Sequence, residues 1–124
     1  MTTLIPQLNQ KFSQSITGTS VIFGYTDNLK TKTEYILIDY EGAAKDSGAT
    51  PMVQELRLRA EAFTKSTTNA YAIFTLAKKV LDVLKHKIKL ANGEVVEFTR
   101  ITSNYFDVEV GKKAEISATV KFWR

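Results

Sequence analysis

The sequence predicts an α+β fold in which an N-terminal helix and one long central amphipathic helix pack on a mainly antiparallel sheet. Two segments repeat apolar residues at helical spacing, and several others are rich in the β-branched and aromatic residues typical of strands. An Asn-Gly pair, Asn92 and Gly93, lies between two apolar runs and indicates a tight hairpin. The length of 124 residues suits one domain with one core, so we assign residues 1–124 to a single domain.

The first predicted helix covers residues 3–16. Pro6 falls in its first turn, where the missing backbone N–H is tolerated, and Gly18 is the expected stop. The apolar stripe of this helix contains Leu4, Ile5, Leu8, Phe12 and Ile16.

Two strands and a loop are predicted next. Residues 21–25 and 35–40 are β-branched and aromatic runs that are almost uniformly apolar, so we expect both strands to be buried on both faces. Residues 41–52 show no hydrophobic period and contain glycine, alanine and short polar residues. They predict a long exposed loop, and loops of that length in compact domains are often functional.

The third predicted strand, residues 53–63, alternates clearly between apolar and charged side chains. Its apolar face should join the core, and its other face should meet water or a partner. The apolar face carries Leu56, Leu58, Ala60 and Ala62, and the charged face carries Glu55, Arg57, Arg59 and Glu61.

The central helix is predicted over residues 70–87, after the potential N-cap residues 67–69. Several lysines lie on its outer side and in its last turns, where positive charge interacts favourably with the negative end of the helix dipole. Its inner stripe consists of Ile73, Leu76, Ala77, Val80, Leu81, Leu84 and Ile88.

Two hairpins complete the predicted sheet. The first joins residues 88–90 to 95–98 through Asn92 and Gly93, although Gly93 could instead cap the preceding helix. The second joins residues 105–110 to 115–123 through a turn at 111–114.

Composition narrows the class of protein. The chain has no cysteine, which excludes disulfides, thiolate catalysis and the usual structural zinc sites. No apolar run approaches the length of a membrane span, and the first residues lack the pattern of a secretory signal, so we expect the cytoplasm as the place of assembly. A net charge of +4 and a pI near 9.3 hint only weakly at an acidic partner.

Candidate chemical groups are few. His86 is the only histidine, and its positively charged lysine neighbours repel metal ions, so we interpret it as a surface histidine. Asp39, Glu41 and Asp46 surround the loop but match no calcium-loop spacing. We therefore predict a non-enzymatic protein with no cofactor and no metal.

Basic residues allow a further interpretation. Basic side chains with nearby aromatic residues could form a surface that binds nucleic acid, because such surfaces combine phosphate attraction with base stacking. The basic residues are Arg57, Arg59, the lysines of residues 78–89 and the Lys112-Lys113 pair, and the aromatic residues are Tyr71, Tyr105 or Trp123. Interspersed carboxylates interrupt such a track, and a solvated mixed-charge surface is favoured. Alternating Arg and Glu on a strand can also pair with opposite charges on an adjoining subunit.

The last two residues, Trp123 and Arg124, are an aromatic and a guanidinium side chain. Trp123 either shields the edge of the sheet or anchors an interface, and the sequence does not separate these alternatives.

Three segments carry a family resemblance. They are the run at residues 53–63, the Asn-Ala-Tyr-Ala start at residue 69 with its helix, and the closing Ile-Ser-Ala-Thr-Val-Lys-Phe-Trp-Arg at 116–124. Together they resemble the tail terminator proteins of long-tailed bacteriophages and the related minor capsid and tail-completion proteins.

This resemblance implies a structural virion protein that forms a homohexameric ring at the head-proximal end of the tail tube. The ring would stop tube polymerisation and join the head connector, while DNA passes through its lumen without specific binding. Another head-tail connector, neck or minor capsid protein is the first alternative, and a small basic nucleic-acid-binding protein is the second. The candidate subunit-interface residues are Glu55, Arg57, Arg59, Glu61, Asp46, Trp123 and Arg124.

Overall fold

The protein is represented by a computed structural model that describes residues 4–24, 33–41, 54–65, 71–91 and 93–123. In chain order the elements are α1 (Leu4–Ser15), β1 (Val21–Phe23), β2 (Glu34–Glu41), β3 (Gln54–Thr64), α2 (Ala72–Leu84), β4 (Ile88–Lys89), β5 (Val95–Val108) and β6 (Gly111–Trp123). The predicted loop at 41–52, apart from Glu41, and the predicted N-cap residues 67–69 lie outside this description.

The strands form one six-stranded sheet in the order β1-β2-β3-β6-β5-β4, which curls into a half-barrel. β1 pairs with β2 in parallel, and the other pairings are antiparallel. β3 and β6 are the central strands, and their register places Leu58 opposite Ala118 and Ala60 opposite Ile116. The charged third strand of the sequence therefore lies in the middle of the sheet.

The core lies between one face of the sheet and the two helices. Leu8 and Phe12 of α1 are fully buried, and the Phe12 ring lies 6.2 Å from the Phe98 ring of β5. From α2 the buried side chains are Ile73, Leu76, Ala77, Val80 and Leu84, which is the predicted inner stripe without Leu81 and Ile88. Burial of these apolar surfaces supplies the main stabilisation of the fold.

The predicted α+β class with one long central helix is wrong. The described residues are mostly strand, and the two helices among them have only 12 and 13 residues, so this part of the chain is mainly β. α2 stops at Leu84, not at residue 87, because Ile88 and Lys89 pair with β5 and leave the helix. The predicted hairpin between these segments is confirmed, because β4 and β5 pair in antiparallel and the Leu90 N–H donates to the Glu94 carbonyl at 2.8 Å.

The predicted turn at 111–114 is also wrong. The two residues between β5 and β6 are Glu109 and Val110, and Gly111 already pairs with Val108. Gly111 is buried beside the end of β3, where a Cβ atom would overlap the Thr64 carbonyl oxygen. The glycine permits a close backbone approach instead of forming a turn.

The two early apolar strands are less buried than predicted. All three residues of β1 are half-buried, and β2 exposes Asp39. On the face of the sheet away from the helices, Tyr35 stacks on Phe63 with ring centroids 5.2 Å apart, and Ile22 and Leu37 pack beside them. These apolar residues form a small separate cluster, so one face of the early strands is only partly covered.

Candidate functional site

The face of the sheet opposite the two helices, here called the open face, carries the charged side chains predicted to contact a partner. Successive strand residues point to opposite faces, so Arg57, Arg59 and Glu61 of β3 lie here while Leu58 and Ala60 face the core. Arg57 and Arg59 are exposed, and Glu61 is half-buried. The alternation in the sequence therefore placed Arg57, Arg59 and Glu61 on the correct face of the sheet, and their contact with a partner stays a prediction.

Arg59 is paired within the subunit. Its Nη1 lies 2.7 Å from Glu41 Oε1, and both side chains are about half exposed, at 56% and 50%. The hydrogen bond to Glu41 raises the pKa of Arg59 above its ordinary value. An exposed pair of this kind contributes little to stability because water and salt screen it. The pair does, however, engage the Arg59 guanidinium, which the sequence predicted to contact a neighbouring subunit.

Glu61 is also satisfied inside the subunit. It accepts a hydrogen bond from the Tyr35 hydroxyl at 2.9 Å and pairs with Lys113 of β6. Lys113 lies 3.3 Å from Glu115 as well, and its hydrogen bond to Glu61 raises its pKa. These contacts join three strands of the sheet, so the role of Glu61 in this structure is to order the open face.

Arg57 differs from its two neighbours. In the register of the sheet it lies between Glu41 of β2 and Thr119 of β6, yet it makes no ion pair with any residue that the structure describes. Its exposed guanidinium is planar and suits bidentate recognition of a carboxylate. Of the described candidates on β3, Arg57 is the one whose charge is available to a partner.

The other interface candidates are less informative. Trp123 is half-buried at the end of β6, opposite Val95 of β5. The Glu55 side chain and the residues Asp46 and Arg124 lie outside the described part of the chain.

The residues considered for catalysis or metal binding, His86, Asp39 and Glu41, do not form one site. His86 is exposed after the end of α2, while Asp39 and Glu41 lie at the end of β2. The described residues contain no group of three or more histidine, cysteine or carboxylate side chains that could hold a metal ion. No catalytic constellation can be built from these three residues.

A second surface was missed by the sequence analysis. The large exposed apolar side chains of the described residues collect where α2 begins and where β5 turns into β6. The Phe74 and Tyr105 rings pack against each other there, with centroids 4.7 Å apart. We call this surface the apolar corner; it contains Tyr71, Phe74, Tyr105, Phe106, Val108 and Val110, whereas Ile101 lies further back in β5.

One signal in the sequence could have revealed the apolar corner. Tyr105 and Phe106 are adjacent, and Val108 and Val110 follow, so apolar residues occupy both faces of the segment. A strand with one buried face alternates, whereas this one offers apolar side chains on each side. Contiguous exposed apolar residues of this kind mark interaction surfaces in soluble proteins.

The basic residues near the helix ends have structural roles in part. The Lys79 ammonium donates to the Thr17 carbonyl at 2.9 Å and to the Thr19 hydroxyl at 2.8 Å, which ties α2 to the chain that follows α1. Lys85 pairs with Asp82 at 3.5 Å and Lys87 with Glu97 at 3.3 Å. These ion pairs place carboxylates among the lysines and so interrupt the continuous basic surface that a nucleic-acid backbone would need.

Comparison with protein families and with curated proteins does not assign the chain to a family. The chain matches no protein-family model, and no curated protein matches it significantly. In the described residues, neither helix has the length and apolar character that crossing a membrane requires. The two surfaces and the resemblance in the sequence are therefore the features that point to a function.

Proposed function

We propose that this chain is a structural virion protein, a phage tail terminator that assembles into a homo-oligomeric ring. The observation that carries the proposal is the presence of two different exposed surfaces, the open face with Arg57 and the apolar corner. A head-to-tail ring needs two unlike, complementary surfaces on every subunit. Phe106 of the apolar corner shares the open face with Arg57, but it lies opposite Lys113 near the start of β6, whereas Arg57 lies opposite Thr119 nearer its end. The two surfaces are therefore separated along the strands, so each subunit could offer one surface to each neighbour.

The position of the ring in the particle rests on the resemblance of residues 53–63, 69–81 and 116–124. At the head-proximal end of the tail tube the ring would stop polymerisation of the tube protein and bind the head-completion or connector protein. DNA would pass through the lumen without specific contacts. A neighbouring neck or minor capsid protein is the alternative on the same basis.

The first experiment asks whether rings form and whether Arg57 holds them together. Negative-stain images and light scattering of the wild-type protein should reveal ring-shaped oligomers. Arg57→Glu should abolish them because a repulsive charge replaces the attractive one at the interface. The double variant with Arg59→Glu should behave in the same way.

The matched control is Lys11→Glu, which makes the same charge change on exposed α1, away from the open face. It should form rings like the wild type. A wild-type protein that stays monomeric at all concentrations would contradict the proposed function, and unchanged rings in Arg57→Glu would remove Arg57 from the interface. Binding of the ring to one end of isolated tail tubes distinguishes a terminator from a neck protein.

A further inference from the structure

The outer edge of β5 has no strand partner along most of its length within the described residues. β4 pairs only with Val95 and Val96, whereas β5 continues to Val108. Every residue from Arg100 to Val110 is exposed. Beyond the short β4, this edge presents a row of backbone N–H and C=O groups to the surroundings.

The β5 edge also lacks most of the features that prevent strands from pairing between molecules. From Thr102 to Val108 there is no lysine, arginine or proline, and the single charge, Asp107, is paired with Lys112 at 2.7 Å. A β-bulge lies before this segment, at Arg100 and Ile101, and not within it. Unprotected edges of this length are templates for another strand.

Apolar side chains flank the β5 edge on both faces of the sheet. Tyr105 lies opposite the buried Ala114 and packs on Phe74, so it is on the helix side. Phe106 lies opposite Lys113 and therefore on the open face. A strand added along this edge would gain main-chain hydrogen bonds and would also cover apolar side chains above and below it.

The other end of the sheet offers the strand that would fit. β1 is the terminal strand there, with no second strand neighbour among the described residues. The Ile36 N–H donates to the Ser20 carbonyl and the Gly24 N–H donates to the Ile38 carbonyl, so Ser20 and Gly24 direct their backbone groups at β2. By alternation, the backbone groups of Val21 and Phe23 point outward.

We propose that the β5 edge of one subunit pairs with the β1 edge of a second copy, so that the sheet continues from subunit to subunit. This inference rests on the proposed ring, because it joins two different edges and is therefore a heterologous contact. Pairing of β5 with β5 of a second copy would instead close a two-fold dimer and leave β1 unused.

Hydrogen exchange of the wild-type protein, compared between dilute and assembled samples, tests this pairing. The amides of Thr102–Val108 that point away from β6, together with those of Val21 and Phe23, should exchange at least about tenfold more slowly on assembly because pairing protects them. Amides of the central strand β3 should be protected in both samples and serve as an internal control.

Two variants separate edge pairing from general apolar contact. Val21→Pro removes an outward N–H that β2 does not use, and proline is tolerated at such edge positions. Phe106→Lys places a charge at the apolar corner, where Phe106 is already 44% exposed, so the subunit should still fold. Each should raise the concentration needed for assembly at least about tenfold, whereas Ser13→Lys on exposed α1 should leave it unchanged.

The outcomes distinguish this inference from the proposed function. Rings whose β1 and β5 amides gain no protection would overturn the pairing and leave the ring intact. Dimers protected at β5 alone would show β5–β5 pairing and would overturn the β1 contact. A chain that never assembles would overturn both proposals.

Discussion

Tyr40 shows how a single side chain connects two elements of this fold. Its hydroxyl donates a hydrogen bond to Asn9 Oδ1 at 2.9 Å, which links β2 to α1. Burial of the phenol, and to a smaller extent the nearby Asp39 carboxylate, raises the pKa of Tyr40 well above its ordinary value of 10.0. Both causes disfavour the phenolate, so the folded protein holds the Tyr40 proton more tightly than the unfolded chain does.

The expected consequence is a loss of stability in alkali. Because the pKa of Tyr40 is higher in the folded state, its contribution is complete below pH 10.0 and falls as the pH rises above that value. Urea unfolding between pH 8 and about 11 should show a steeper decline for the wild type than for Tyr40→Phe, which cannot ionise. Equal declines for the two proteins would mean that Tyr40 titrates normally.

At the residue scale, the sequence located the charged face but not its pairings. Alternation along residues 56–62 was enough to place Arg57 and Arg59 on one side, because strand geometry is local. The register between β2 and β3, which are separated by a dozen residues, places Glu41 opposite Arg57, yet the Glu41 carboxylate pairs with Arg59 two positions along the strand. Register is a property of the assembled sheet, so the available arginine could not be chosen from sequence.

At the element scale, β5 differs most from its prediction. Thr99 pairs with Thr119 and Thr102 with Ser117, so Arg100 and Ile101 together face one residue of β6. Arg100 has a φ of 52°, in the left-handed region that few non-glycine residues adopt. This β-bulge reverses the faces of the strand, because one extra residue shifts the period-two pattern. It carries Tyr105 to the helix side and Phe106 to the open face.

Gly111 provides a test of the close approach between β3 and β6. In Gly111→Ala the new Cβ would overlap the Thr64 carbonyl oxygen and lie 2.9 Å from the Lys65 Cα. Both neighbours are backbone atoms and can move only with their strand, so we expect the free energy of unfolding to fall by about 1–3 kcal/mol. Urea denaturation of Glu109→Ala, in the exposed turn nearby, is the control and should change little. An unchanged midpoint for Gly111→Ala would mean that the strand ends are not packed this closely.

At the scale of the whole molecule, the net charge of +4 does not make a nucleic-acid-binding surface. Lys85 and Lys87 are paired with carboxylates, and Lys79 is held by backbone and hydroxyl oxygens. Exposed cations such as Lys78 remain for non-specific contacts with phosphate. Among the described residues, the charge distribution therefore favours weak, salt-dependent attraction without a continuous binding track.

We expect fluorescence anisotropy with short duplex DNA to detect only weak binding, because few phosphates are neutralised, and we expect that binding to fall below detection between about 50 and 200 mM salt, because it is electrostatic. Lys78→Glu should weaken the binding seen at low salt, while Arg57→Glu tests whether the open face takes part. Tight binding that persists at physiological salt would favour the alternative function, a small nucleic-acid-binding protein.

The sequence by itself determined the approximate positions of both helices and of most strands, and which side of β3 is charged, because these follow from local periodicity and side-chain chemistry. Only the tertiary structure decided the class of the fold, the length of α2, the role of Gly111 and the place of the apolar corner. Each depends on which strands are neighbours in the sheet. Ile88 pairs with β5 and so leaves α2, and the end of β3 lies against Gly111. The β-bulge in β5 determines which face of the sheet carries Tyr105. Contacts between residues distant in sequence are set by the packing of the whole chain, and no local pattern encodes them.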